Sequence, residues 1–156
     1  MLDEQRAGET IPLPELNECG DLPVAVYEVT LSELLSRFGT GSPLRRLVGI
    51  RLERIHRLAA ATGQVARFIV FGSFITGKIE PNDVDVFLLM DNEFDVETVP
   101  GESAMLFDHP TAQAHFGASI FWIRQVACLG GVQATIEDWQ VKRDGSRRGI
   151  VHVTGD

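Results

Sequence analysis

Positive charge is in short supply in this chain: 14 Lys and Arg stand against 22 Asp and Glu in 156 residues, a formal net charge of −8. Indiscriminate nucleic-acid binding rests on phosphate neutralisation by Lys and Arg, so the deficit excludes a general nucleic-acid coat and leaves only a local basic patch. Cysteine is scarcer still. Cys19 and Cys128 lie far apart, without metal-ligand spacing, and read as reduced thiols. No apolar run approaches the ~20 residues of a membrane span, and no N-terminal apolar segment has the character of a signal peptide. Internal repeats and low-complexity tracts are also lacking. These absences point to a cytoplasmic globular protein, most simply one domain with enough chain for a real core.

What is present organises the chain as follows. Residues 1–21 are acidic and carry Pro12 and Pro14, which reads as an extended N-terminal arm wrapping a surface or as a partly disordered tail. Residues 22–156 form a single domain. Thr30 with Glu33 is a capping box for a helix reaching about Phe38, stopped by Gly39 and Gly41. Ser42 followed by Pro43 starts a long amphipathic helix with Leu44, Leu47, Val48, Ile55, Leu58 and Ala59 at helical spacing. Its arginines, Arg45, Arg46, Arg51, Arg54 and Arg57, fall mostly on the wetter side as a solvated face. Strands are predicted at 65–71, 83–90, 118–126 and 149–153, a helix in two pieces over 104–116 broken near Pro110, and another at 133–139.

The stretch 68–90, FIVFGSFITGKIEPNDVDVFLLM, carries the chemistry. It places Gly72-Ser73 at the end of one apolar strand and Asp83 and Asp85 in the next. Ionised aspartates among Val84, Val86, Phe87, Leu88 and Leu89 need a compensating cation, and a divalent metal is the simplest. Residues two apart on a strand share a face, about 6.6 Å apart, so both carboxylates can lean toward one metal or a pair. Gly72 lets the backbone approach a phosphate, and Ser73 offers a hydroxyl and an amide. Lys78 is close enough in the loop to reach a phosphate, or is a solvated loop lysine. A P-loop reading of 72–78 competes, but Ile79 stands where Ser or Thr is needed and Pro81 interrupts the helix that should follow.

Strand, Gly-Ser, short spacer and Asp-apolar-Asp in the next strand resemble the nucleotidyltransferase fold of the DNA polymerase β superfamily, in particular its small stand-alone bacterial members. A looser likeness extends through Leu22-Pro23, the helix before the first of these strands and Phe107-Asp108-His109. The resemblance implies an α+β fold with a short mixed sheet flanked by helices. It also implies transfer of a nucleoside monophosphate from a nucleoside triphosphate to a protein or RNA acceptor. Gly72, Ser73 and Lys78 would bind the nucleotide, and Asp83 and Asp85 would hold Mg²⁺ or Mn²⁺ as catalytic acids. Similar stand-alone proteins also suggest a toxin-antitoxin partner. Active members add a third carboxylate from a later strand, and Ser119 stands where that acid is sought. A non-catalytic nucleotide-binding or partner-binding module is therefore the alternative reading.

Other residues invite a functional role. Asp108, His109 and His115 could form a metal site or an acid-base pair, against the plainer reading of a helix cap and an ordinary helix residue. Phe121, Trp122 and Trp139 could stack a base, or belong to the core. Lys142, Arg143, Arg147 and Arg148 make the most basic patch, able to receive phosphates or to solvate a hairpin.

Overall fold

Reciprocal hydrogen bonds between Thr30 and Glu33 open the first helix. The Glu33 amide donates to the Thr30 hydroxyl at 3.1 Å and the Thr30 amide to the Glu33 carboxylate at 3.2 Å. The computed structural model describes residues 13–155. Helix α1 runs Leu31–Phe38 and ends at Gly39; Ser42 caps α2, Pro43–Ala60, with Pro43 in its first turn. Both follow the sequence reading, because caps act within one turn of chain. Arg45 is the exception to the wet-sided arginines: it is buried at 8% exposure.

Five strands follow the β-branched and aromatic segments: β1 Val26–Val29, β2 Val65–Phe71, β3 Val84–Met90, β4 Ala118–Arg124 and β5 Ile150–Val153. They form one mixed sheet in the order β1-β5-β2-β3-β4. β2 is antiparallel to β3 and β5, whereas β3 and β4 are parallel, as are β1 and β5. The expected α+β class with a mixed sheet is what the fold displays. Strand β1 was not among the sequence expectations. It has four residues and pairs with β5 from the far end of the chain, so its local sequence carries no sign of its partner.

Side-chain alternation gives the sheet two buried faces. Val70, Val86, Leu88 and Met90 pack toward Leu34, Phe38, Val48, Leu52 and Ile55 of α1 and α2. Ile69, Phe87, Leu89 and Ile150 pack toward Ile136 of helix α4, Val132–Asp138, with Phe71 and Trp139 beside them. Double coverage explains why β3 is apolar at nearly every position except Asp85.

The segment before β4 has two helical pieces, a 3₁₀ stretch at Gly101–Phe107 and helix α3 at His109–Phe116. The break falls at Asp108, ahead of Pro110, because proline fits the first turn of a helix and not its interior. In the N-terminal arm, Leu13 and Leu16 pack on the core, and Arg37 donates to the carbonyls of Leu13 and Pro14 at 3.2 and 2.8 Å. The described part of the arm thus lies along the domain, and the rest of that expectation falls outside the described residues. Cys19 and Cys128 are free thiols. No helix among the described residues is long and apolar enough to cross a membrane.

Candidate functional site

The strand register assembles the site. Phe71 pairs with Asp85, and Asp85 with Ser119, so the end of β2 meets the beginnings of β3 and β4 at one edge of the sheet. Gly72 leaves β2 at φ +85°, a conformation that favours glycine. A Cβ built there would lie 1.9 Å from Asp85 Oδ2 and 2.8 Å from its Cγ. The Asp85 carboxylate therefore occupies the space that a side chain on residue 72 would fill. Ser73–Ile75 is a single 3₁₀ turn, and no α-helix follows before β3. The P-loop reading fails on this point, since its phosphates require a helix N-terminus.

A cleft of 610 Å³ opens beside this junction. Ser73, Lys78, Asp83 and Asp85 line it from the motif itself, and Gln113 of α3 and Ser119 of β4 line it from the neighbouring elements. The turn before β5 adds Lys142, Arg143, Asp144 and Arg148. The structure thus brings together Ser73, Lys78, Asp83 and Asp85, with Gly72 as the seat of Asp85. Another hollow, of 520 Å³, lies at the opposite end of β2 against His56, Arg67 and His152, away from the motif.

Burial pushes the Asp85 pKa up to about 6, and the negative charge of Asp83 adds to the rise. Arg148, the Ser119 hydroxyl and Arg143 pull the other way. Ser119 Oγ also donates to Asp83 Oδ2 in a long bond of 3.4 Å. Among the described residues neither Asp83 nor Asp85 is in an ion pair. Two carboxylates outside any ion pair and a hydroxyl are hard oxygen donors, of the kind that suits Mg²⁺. The residues present fit such an ion, which Asp83 and Asp85 could hold.

The third acid is absent from β4. Ser119 sits directly opposite Asp85, and among the described residues no third His, Cys, Asp or Glu joins the pair in a metal-holding group. Asp108 caps α3, accepting from the Thr111 amide at 3.2 Å, and Glu137 accepts from Gln133 on its own helix at 3.1 Å. Asp144 lines the cleft, but its Oδ1 accepts from the Ser146 amide and hydroxyl at 2.9 and 2.6 Å.

The Asp108, His109 and His115 group disperses. His109 Nδ1 lies 3.3 Å from the Ile120 carbonyl with its ring stacked on Phe121, while His115 meets Glu102 at 2.8 Å. Trp122 belongs to the core, its Nε1 donating to the Phe107 carbonyl at 3.0 Å against Phe94 and Phe107. Trp139 packs on Phe71, Phe87 and Phe121; Phe121 keeps an exposed side.

Sequence reasoning missed Asp21. This carboxylate is 5% exposed and takes Lys142 Nζ at 2.9 Å and Arg148 Nη1 at 3.3 Å, anchoring the basic turn that lines the cleft. Three residues that look like an arm's acidic end and a solvated hairpin are in fact one cluster, joined across almost the whole chain. Asp21→Ala is expected to cost about 2 kcal/mol, less than a fully buried pair because Lys142 and Arg148 keep some contact with water. Chemical denaturation reads the loss, and a change within error would show that the cluster does not hold the turn.

Fold and site define an α+β protein with an acidic pair at the edge of a mixed sheet, facing a basic turn across a polar cleft. The chain belongs to a family of unknown function, DUF6932, whose model matches residues 14–154. No curated protein and no solved structure matches it.

Proposed function

We propose that the protein transfers a nucleoside monophosphate from a nucleoside triphosphate to a hydroxyl of a protein or RNA acceptor, with the Mg²⁺ dependence of the nucleotidyltransferase fold it resembles. The observation that carries this reading is the junction itself: Gly72-Ser73 and Asp83-Val84-Asp85 converge on one cleft, with the Asp85 carboxylate seated against the glycine. In the reaction the acceptor oxygen bonds to the α-phosphorus as the α–β bridging P–O bond breaks. Pyrophosphate departs, and the hydroxyl proton passes to water.

Ser73 and Lys78 donate to the triphosphate, and Arg143 and Arg148 place positive charge on the same cleft. Asp83 and Asp85 would hold the ion, which supplies charge neutralisation on the phosphate oxygens. Catalysis of this type is positioning plus electrostatics, so few side chains suffice. Incubation with labelled ATP, CTP, GTP or UTP, Mg²⁺ and cell extract is expected to label an acceptor. Asp85→Ala is expected to abolish the label. Transfer that is equal in wild type and variant sinks the reading.

One observation favours a second reading. Ser119 faces Asp85 where a third carboxylate would sit, and a hydroxyl does not supply that charge. A protein that binds Mg²⁺–nucleotide without turnover would show metal-dependent heat in calorimetry and no labelled acceptor.

A further inference from the structure

Arg45 is the one buried charged side chain of α2. Its guanidinium donates to four main-chain carbonyls: Nη1 to Phe38 at 3.0 Å and to Phe74 at 2.8 Å, Nη2 to Thr76 at 2.8 Å and to Lys78. It also lies 5.7 Å from the centroid of the Phe74 ring. Among the described residues no carboxylate pairs with it. A buried cation without a counter-ion is costly unless dipoles replace its hydration, and here carbonyl oxygens do so.

The choice of carbonyls gives the contact its meaning. Phe74, Thr76 and Lys78 alternate along the turn that follows Gly72-Ser73, a stretch with no regular structure beyond one 3₁₀ turn. Turning three of its carbonyls onto a single fork sets its path. Ser73 and Lys78, at the two ends of the restrained stretch, are the residues of the turn that line the cleft. The Thr76 hydroxyl links them locally, donating to the Ser73 carbonyl at 2.7 Å and accepting from the Lys78 amide at 3.2 Å.

We infer that Arg45 is a positioning residue for the phosphate-facing turn, holding residues 73–78 from behind in the shape that presents Ser73 and Lys78 to a triphosphate. The nucleotide part of this inference rests on the function proposed above. A turn held in advance spares a ligand the entropy of ordering it. An arginine is required because its rigid fork serves several acceptors at once, whereas lysine offers one point charge with three donors.

Arg45→Lys and Arg45→Met test the inference by amide hydrogen exchange and by calorimetric titration with Mg²⁺–ATP. Exchange across residues 73–79 is expected to rise by about tenfold or more while β2 and β3 stay as slow as in wild type. Affinity for Mg²⁺–ATP is expected to fall by about tenfold or more, with the lysine variant the less affected. Unchanged exchange in the turn overturns the inference. So does exchange that rises equally in β2 and β3, or failure of both variants to fold, since either makes Arg45 a general core residue. A loosened turn with unchanged affinity overturns it as well. A wild-type chain that binds none of the Mg²⁺ complexes of ATP, CTP, GTP and UTP sinks the nucleotide reading instead, and the exchange result alone then decides what Arg45 does.

Discussion

Gly72→Ala is expected to abolish Mg²⁺–nucleotide binding and transfer while leaving a folded protein. The new Cβ would lie 1.9 Å from Asp85 Oδ2, so the carboxylate must leave its seat. Rotation of the Asp85 side chain relieves the carboxyl contacts, while its Cβ, 3.1 Å from the new methyl, must give slightly. A non-glycine residue at φ +85° adds strain of about 1–3 kcal/mol. The loss of function should exceed that modest loss of stability, since displacing a positioned group by an ångström costs on the order of 100-fold in rate. Transfer or binding within a few-fold of wild type would show that Asp85 does not act from this position. Calorimetry and the labelled-acceptor assay read the effect, and circular dichroism confirms the fold.

Asp85→Asn is expected to do two opposite things, removing activity and stabilising the protein without ligand at neutral and alkaline pH. In the folded chain the Asp85 carboxyl titrates near 6 in place of its ordinary 3.8. Between those values the folded protein keeps a proton that the unfolded chain has released. The group's contribution to stability is therefore greatest below about pH 4 and is lost as pH rises through 6. The penalty above pH 6 is on the order of 2 kcal/mol, allowing for partial exposure. Asparagine carries no charge, so the variant should melt higher than wild type at pH 8 and alike at pH 4. Added Mg²⁺ should raise the wild-type melting temperature at pH 8 and leave the variant unmoved. A variant that melts lower at pH 8 would mean that Asp85 is already neutralised by the protein itself.

A stabilised but inactive variant is the behaviour of a site built at the expense of the fold. The charge of Asp85 resists its burial at the start of β3, and the neighbouring carboxylate of Asp83 adds repulsion. Nothing in packing calls for two acids there. On the function proposed above, that cost would be offset when a cation and its phosphates occupy the cleft, which would tie ligand binding to stability.

How far the chain could be read without its fold follows from the range of each interaction. Thr30 with Glu33, Ser42 with Pro43 and the glycine after β2 act within one turn or one bond, so residue types at fixed spacing expose them. The spacing of Asp83 and Asp85, just before and within β3, is legible in the same way, whereas the place of Ser119 opposite Asp85 is set by the pairing of β3 with β4. The local sequence determined the helices, the central strands and the acidic pair with its glycine.

The tertiary structure decided the rest, because its contacts join residues that no local pattern links. Pairing with β5 makes Val26–Val29 a strand, and Asp21 turns a hairpin that reads as solvated into a wall of the cleft. Burial takes Arg45 out of a helix face of arginines and sets it against the carbonyls of the turn that follows Gly72-Ser73. Each outcome depends on which distant groups the folded chain brings close enough to replace lost water, and that is a property of the whole packing and of no single segment.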